Sequence, residues 1–171
     1  IRIEDEAQYE KVLTYDVSTL EPQLSCPQGV DNVYPISEVL GTPMDEVYIG
    51  SCTNGSLEDL KAAADILRGK KVANHVRVIV VPATNTVFKE AIEKGYIKDF
   101  IEAGCVISHP CCGLCCGMPY GLMYDDERIL LTANRNFIGR QGTKKTLGYL
   151  SSPAVAAATA LTGVVTDPRT L

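Results

Sequence analysis

Residues 47–56 read Val-Tyr-Ile-Gly-Ser-Cys-Thr-Asn-Gly-Ser, an apolar run that passes directly into a polar loop. The run is short and ends at a glycine, which is typical of a buried strand. Ser56 and Asp59 have the spacing of a capping box, so we predict a helix over about residues 57–68. The stretch therefore predicts a strand–loop–helix unit that carries Cys52 in its loop.

The same kind of unit recurs along the rest of the chain. Short apolar runs alternate with helical patterns, with strands predicted at 76–81, 105–107, 128–132 and 146–150 and helices at 86–94, 97–103 and 154–161. This alternation predicts an α/β fold with a mostly parallel sheet and covered faces. We assign residues 46–171 to this domain and residues 1–45 to a short β-rich appendage, strand-like over 11–17 and otherwise rich in turns.

Three chemically distinctive segments follow predicted strands. Cys52, Cys112 and the loop that begins at Asn134 each come just after one of the apolar runs. In parallel α/β sheets, ligands bind at the carboxyl ends of the strands. We therefore expect these segments to converge on one edge of the sheet.

Seven cysteines in 171 residues are the unusual feature of the composition, and four of them lie within residues 111–116. An odd count, adjacent cysteines and an acidic start without a signal peptide favour free thiols in a reducing cytoplasm over a disulfide framework. The net charge of −5 gives no footprint for nucleic acid or an anionic membrane, and no apolar run is long enough to span a bilayer. Because the chain does not start with methionine, we expect a fragment or a processed chain.

The cysteine-rich loop reads His-Pro-Cys-Cys-Gly-Leu-Cys-Cys-Gly at residues 109–117. Cys111 or Cys112 with Cys115 forms a pair whose intervening residues fold back, so that two thiolates reach the same metal. Adjacent cysteines project their side chains differently, so a site takes two thiols from the loop and one or two from elsewhere. Cys52 is the best distant candidate, because it lies at a strand end near a helix N-terminus that favours a thiolate.

Three thiolates leave several kinds of site open. Structural zinc normally takes four closed ligands, and redox C-x-x-C pairs usually start a helix in a thioredoxin-like context. An iron–sulfur cube held by three cysteines would leave one iron free to bind substrate as a Lewis acid. The spacing favours iron–sulfur over zinc, with redox thiols and plain packing as further alternatives. Cys26 and Cys105 lie in or beside apolar runs and are assigned to packing.

A second informative stretch, Asn-Arg-Asn-Phe-Ile-Gly-Arg-Gln-Gly, occupies residues 134–142. Arg135 and Arg140 offer planar forks that bind carboxylates through two hydrogen bonds. Asn134 and Asn136 add hydrogen bonds or hold the turn. Taken alone, the stretch is more typical of a surface turn with solvated arginines. In the same chain as a metal-type cysteine loop, it indicates a site for a small di- or tricarboxylate that carries a hydroxyl.

Three segments together resemble the aconitase superfamily. They are residues 48–55, 110–117 and 134–140, with the sequences YIGSCTNG, PCCGLCCG and NRNFIGR, in the family's order. Within the superfamily, the chain is most similar to the carboxyl-terminal part of the large subunits of 3-isopropylmalate dehydratase and homoaconitase. The resemblance covers nearly the whole chain and implies an aconitase-type three-layer domain.

The resemblance also implies roles for individual residues. Cys52 matches the family's first cluster ligand, and the family pattern P-x-C-G-x-C-x-G selects Cys112 and Cys115, with Cys111 and Cys116 as neighbours. The implied cofactor is a 4Fe–4S cluster with one iron that lacks a protein ligand. The residues that match the family's substrate-contacting loop are Asn134, Arg135 and Arg140.

The activity implied by the resemblance is that of a hydro-lyase that isomerises a hydroxy-dicarboxylate by dehydration and rehydration. 2-Isopropylmalate, converted to 3-isopropylmalate in leucine biosynthesis, is the first choice of substrate. Citrate, homocitrate and 2,3-dimethylmalate-like acids are the alternatives. A non-enzymatic metal-binding module, such as an iron sensor, and a zinc-stabilised interaction domain are the alternatives to an enzyme.

The chain departs from the family in its length. Family large subunits are much longer, and their amino-terminal domains supply a His/Asp/Glu-rich part of the site. The resemblance also implies a swivelling small subunit or domain that supplies a serine base. We therefore expect no catalytic residue in these 171 residues, and we expect an exposed, partly apolar face where the missing domains dock.

Overall fold

The computed structural model describes residues 7–117 and 121–171. The first six residues of the predicted appendage and residues 118–119 of the predicted cysteine loop lie outside this part. The elements in chain order are β1 Gln23–Ser25, β2 Val33–Pro35, α1 Ile36–Val39, β3 Glu46–Gly50, α2 Ser51–Asn54, α3 Leu57–Leu67, β4 Arg77–Val81, α4 Asn85–Glu93, α5 Tyr96–Ala103, β5 Val106–Ile107, β6 Arg128–Leu131, β7 Leu147–Leu150 and α6 Pro153–Thr162, with 3₁₀ turns at Gly113–Cys116 and Pro168–Thr170.

One sheet of seven strands organises the described residues, in the order β2-β1-β7-β6-β3-β4-β5. The five strands from β7 to β5 are parallel to one another. β1 is antiparallel to both β7 and β2, so the appendage extends the sheet at one end. The predicted α/β class and the mostly parallel sheet are confirmed, and residues 7–45 contribute the three-residue strands β1 and β2.

The order of the strands reverses beside β3. From β3 the chain passes through α3 to β4, and then through α4 and α5 to β5 at the far edge. It then returns to β6, which pairs with β3 on the opposite side from β4. Because ligands in open α/β sheets bind outside the carboxyl ends of the strands at such a reversal, the ends of β3 and β6 define the place to look for a site.

The two faces of the sheet are covered differently. Val47 and Ile49 of β3 pack in a core with buried side chains of α3, α4, α5 and α6. Tyr48 points to the opposite face, where a second core contains Leu114, Cys115 and Met123. The layers of the domain are therefore the helices, the sheet and a loop layer that contains the Gly113–Cys116 turn.

Most predicted elements are present, with ends shifted by one or two residues. The capping box is formed, because Ser56 accepts a hydrogen bond from the Asp59 backbone and the Asp59 carboxylate accepts one from the Ser56 backbone. The predicted strand at 11–17 is wrong, since residues 7–22 contain no strand. The predicted loop after β3 instead begins with the single turn of α2. In the described residues, no helix has both the length and the apolar character needed to cross a bilayer.

A carboxyl group is buried at the start of β3. Glu46 is fully buried, and its Oε2 accepts a hydrogen bond of 2.8 Å from Nε of Arg77. Its Oε1 has no hydrogen-bond partner among residues 7–117 and 121–171. Burial, partly offset by Arg77, raises the pKa of Glu46 from 4.5 to about 7. The charged form is disfavoured because a buried carboxylate loses its hydration.

We predict that the free energy of unfolding falls as the pH rises from 5 to 8, by up to about 3 kcal/mol. The unfolded chain releases the Glu46 proton near its ordinary pKa of 4.5, whereas the folded chain holds it until about pH 7. Glu46→Gln should reduce this fall in the free energy of unfolding, measured by urea unfolding at pH 5 and at pH 8.

Glu127→Gln is the matched control for this slope. Hydrogen bonds, first from the backbone of Tyr124 and then from Arg77, lower the pKa of Glu127. Its contribution is therefore constant above about pH 5, and the slope should persist. An unchanged slope in the Glu46→Gln chain would contradict the assignment.

Candidate functional site

A tight turn joins β3 to α2 and presents Cys52. Gly50 has φ of 104°, and a Cβ on this residue would lie 2.0 Å from the carbonyl oxygen of Val81. Ser51, which is buried, also has a positive φ of 89°, a conformation that is uncommon for a residue with a side chain. The backbone thus turns sharply at the strand end and leaves Cys52 exposed to solvent.

Hydrogen bonds tie this turn to the end of β6. The Gly50 backbone N–H donates to Oγ1 of Thr132 at 2.7 Å, and Nδ2 of Asn54 donates to the Thr132 carbonyl oxygen. Nδ2 of Asn134 donates to Oγ1 of Thr53 at 2.6 Å. Asn134 therefore lies beside the residue that follows Cys52. The structure brings the β3 turn and the start of the arginine loop together.

A side chain of β3 holds the cysteine loop through a hydrogen bond. The hydroxyl of Tyr48 donates to the carbonyl oxygen of Cys112 at 3.2 Å. Cys112 is exposed at the start of the 3₁₀ turn, whereas Cys115 is buried in the core of the loop layer. Gly117 ends the turn with φ of 70°. Its Cα lies so close to Arg140 that a Cβ would be 3.0 Å from the Arg140 carbonyl oxygen.

The thiols interact electrostatically across the loops. The negative charge of the Cys116 thiolate, followed by burial and by the Cys52 and Cys115 thiolates, raises the pKa of the Cys112 thiol. Cys52 follows β3 and Cys112 follows β5, and because both strands run parallel to β4, the two thiols lie at the same edge of the sheet. Cys116, which the family pattern leaves aside, is the strongest influence on Cys112.

The donor set fits an iron–sulfur cluster in its chemistry. Cys52 and Cys112 are exposed at strand ends, whereas Cys115 is buried in the loop layer, and thiolates are the ligands that such clusters take. Within residues 7–117 and 121–171, no three His, Cys, Asp or Glu side chains are grouped to hold a single metal ion. Cys26 and Cys105 are buried, as their assignment to packing requires. Burial raises the pKa of the Cys105 thiol to about 12.

The arginine loop is anchored by its amides. Asn136 is buried and donates to Oγ of Ser25 at 3.2 Å and to the carbonyl oxygens of Cys26 at 2.7 Å and Gly148 at 3.1 Å. Of the two roles suggested for this asparagine, the structure supports holding the turn. Nε2 of the buried Gln141 donates to the Arg135 carbonyl oxygen at 2.9 Å. Asn136 thus fixes the loop to β1 and β7, and Gln141 ties the two ends of the arginine-bearing segment to each other.

The two arginines differ in their surroundings. Arg135 is exposed, whereas Arg140 is half-buried and its buried Nε has no hydrogen-bond partner in the described part of the chain. A buried guanidinium N–H without a hydrogen-bond partner destabilises the folded state, because it has lost its hydrogen bonds to water. This donor belongs to the residue whose carbonyl oxygen adjoins Gly117, the glycine that ends the cysteine turn.

Sequence reasoning missed Thr132, Tyr48 and Gln141. Each supports the site through a hydrogen bond with a backbone atom, of Gly50, Cys112 and Arg135, respectively. Their partners are separated from them by 82, 64 and 6 residues, respectively. His109 packs edge-on against Phe88, with ring centres 5.6 Å apart.

Comparison with known proteins agrees with these motifs. A sequence model of the aconitase family (aconitate hydratase) matches residues 38–163. The chain is 50% identical over 163 residues to a probable 3-isopropylmalate dehydratase large subunit of Methanosarcina mazei. The match includes 95% of this chain and 39% of the Methanosarcina protein. It is 50% identical over 169 residues to 3-isopropylmalate dehydratase large subunit 1 of Archaeoglobus fulgidus. That match includes 99% of this chain and 40% of the Archaeoglobus protein. The chain thus spans about two fifths of the length of these relatives.

The contact between Gly50 and Val81 predicts a large cost for an added methyl group. Gly50→Ala should lower the free energy of unfolding by about 3 kcal/mol or more, because strain at positive φ adds to a backbone clash. Gly69→Ala is the matched control, since Gly69 has φ of 72° and nothing within 4 Å of an added Cβ. It should cost only about 1 kcal/mol. Equal costs in urea unfolding would contradict the close approach at Gly50.

Proposed function

The chain belongs to the aconitase family, and from that premise we propose that it is the cluster-bearing part of a hydro-lyase. The reaction is the isomerisation of a hydroxy-dicarboxylate by removal and re-addition of water. The observation that supports this proposal most strongly is the closeness of the Cys52 turn, the cysteine loop and the arginine loop beside the reversal of the strand order.

The proposed substrate is 2-isopropylmalate, converted to 3-isopropylmalate in leucine biosynthesis. This choice follows the names of the relatives, which are large subunits of 3-isopropylmalate dehydratase. Because the chain spans about two fifths of their length, we propose that the remainder of a large subunit and a small subunit complete the enzyme. We place the group that takes the substrate's proton on the small subunit, as the family resemblance implies.

The proposed cofactor is a 4Fe–4S cluster held by Cys52, Cys112 and Cys115, with one iron that lacks a protein ligand. When bound, the cluster supplies Lewis-acid chemistry to the substrate's hydroxyl and carboxylate. Cys111 and Cys116 are neighbours of the cluster and not its ligands in this assignment. Tyr48 orients the ligand loop by its hydrogen bond to the Cys112 carbonyl.

The substrate's carboxylates are the proposed partners of Arg135 and Arg140. Two planar guanidinium groups on one short loop can each take a carboxylate through paired hydrogen bonds. The loop is held before the substrate arrives, by Gln141 behind Arg135 and by Gly117 against Arg140. Fixed positive charge favours the carbanion-like species formed when a proton leaves the carbon next to a carboxylate. Asn134 is the proposed third contact.

Replacement of a proposed ligand tests the cofactor. After anaerobic reconstitution, the chain should contain about four iron atoms and four acid-labile sulfides. Cys112→Ser should lose most of both, because the serine hydroxyl is a poor ligand at neutral pH. Cys116→Ser is the matched control beside it and should retain both. Stoichiometric zinc without sulfide, or equal losses in the two variants, would contradict the proposal.

Replacement of an arginine tests the substrate. The measurement uses a chimeric large subunit, in which this chain replaces the matched part of the Methanosarcina mazei relative, together with that organism's small subunit. Arg135→Lys or Arg140→Lys should raise KM for 2-isopropylmalate by about 10-fold to 100-fold, because lysine cannot form the paired hydrogen bonds.

Arg169→Lys is the control for the arginine variants. Arg169 pairs with Asp167 near the carboxyl end of the chain and belongs to no proposed contact. Its replacement should leave KM within about twofold, since exposed ion pairs contribute little. An unchanged KM in both loop variants would remove the arginines from the substrate site.

A further inference from the structure

Residues 7–20, which we call the amino-terminal segment, expose an unusual amount of apolar surface. Six large apolar side chains in it are between 57% and 76% exposed: Tyr9, Val12, Leu13, Tyr15, Val17 and Leu20. Single exposed apolar residues are normal, but a contiguous set of this kind marks a surface that another element covers. The segment therefore calls for a partner.

The pattern within the segment is that of a β-strand. Leu13, Tyr15 and Val17 alternate with the polar Thr14 and Asp16, so one face of an extended chain is apolar and the other polar. β-branched and aromatic residues are typical of strands. Neighbouring side chains of a strand point to opposite faces, so a period of two allows one face to be buried. In this segment the apolar face is exposed.

The backbone of the segment has no strand to pair with in the described part of the chain. Its hydrogen bonds to other described residues are confined to the turn at its end, from the Leu20 backbone to Val17 and from the Ser18 backbone to Asp16. Unpaired backbone groups and exposed apolar side chains occur together over the same residues. Both are satisfied when a strand joins the edge of a sheet.

We propose that residues 9–17 form a β-strand that pairs with an edge strand in the part of the large subunit outside this chain, and that Leu13, Tyr15 and Val17 are buried there. The inference rests on the proposed function, which makes this chain part of a longer polypeptide. It names the segment through which the two parts of that polypeptide are joined.

The relatives indicate this partner. The match to the Archaeoglobus fulgidus large subunit takes in 99% of this chain, so it includes the segment, yet it accounts for only 40% of that protein. Relatives that have the segment thus also have a large additional body of chain to cover it. A second copy of this chain is less favoured, because each copy has a net charge of −5 and like charges repel.

Amide hydrogen exchange compares the segment in two settings, the isolated chain and the chimeric large subunit. In the isolated chain, the amides of residues 9–17 should exchange at nearly the rate of an unfolded peptide. In the chimera, they should be protected by about 100-fold or more, because strand pairing shields them. Protection in the isolated chain that rises with its concentration would instead indicate a second copy and would overturn the proposal.

Lysine substitutions separate the two faces of the proposed strand. In the chimera, Leu13→Lys and Tyr15→Lys should abolish the protection, whereas Thr14→Lys on the polar face should retain most of it. In the isolated chain, all three should leave the melting temperature within about 1 °C, as expected where a side chain packs on nothing. A clear fall in the isolated chain for the apolar variants would show that the segment packs within the chain, and would overturn the proposal without any need for the chimera.

Iron and sulfide contents distinguish failure of this inference from failure of the proposed function. A chimera that assembles its cluster but leaves residues 9–17 unprotected contradicts the inference alone. A chimera that protects the segment but binds no iron contradicts the proposed function alone.

Discussion

The contact between Gly50 and the carbonyl oxygen of Val81 is the constraint on which the site depends. β3 and β4 lie so close at their carboxyl ends that no side chain fits at residue 50. The chain can therefore turn at once into α2 and place Cys52 at the strand end instead of a turn later. The hydroxyl of Thr132 then takes the Gly50 N–H, which ties the turn to β6. The absence of a Cβ at residue 50 thus allows the ends of β3, β4 and β6 to lie close together.

The same edge collects groups that the chain keeps far apart in sequence. The hydroxyl of Tyr48, on β3, donates a hydrogen bond to the cysteine loop. Asn134, at the start of the arginine loop, donates one to Thr53, the residue after Cys52. Gly117 lets the Arg140 backbone approach the end of the cysteine turn. The Cys52 turn, the cysteine loop and the arginine loop are therefore neighbours at this edge. The proposed metal ligands and the proposed carboxylate partners thus come from neighbouring loops, and the proposed metal-assisted dehydration of a hydroxy acid needs both.

Local patterns predicted the elements well, because their causes are local. The capping box at Ser56 fixed the start of α3, and the serine–proline pair before α6 together with Gly163 fixed both ends of that helix. The strand predicted at 11–17 shows the limit of such reasoning. Its period of two is present in the sequence, but a strand exists only where a second strand supplies hydrogen bonds. No local pattern reveals whether that partner belongs to the same chain.

The site was predictable only in part for a similar reason. Cys52, Cys112 and the arginine loop each followed an apolar run, so their arrival at one edge could be foreseen. The positioning groups Thr132 and Gln141 could not, because a threonine in a strand end and a glutamine in a loop have no pattern of their own. Asn136 had two possible roles in the sequence, and only the buried contacts with Ser25, Cys26 and Gly148 select between them.

The central claim is that three thiolates of this chain hold a cluster whose fourth iron is open to substrate. The most direct measurement is the Mössbauer spectrum of the iron-57-reconstituted chimera with its small subunit, recorded with and without 2-isopropylmalate. The account predicts that the signal of one iron in four shifts when the substrate is added, while the other three keep theirs. Four iron sites that all ignore the substrate would contradict it.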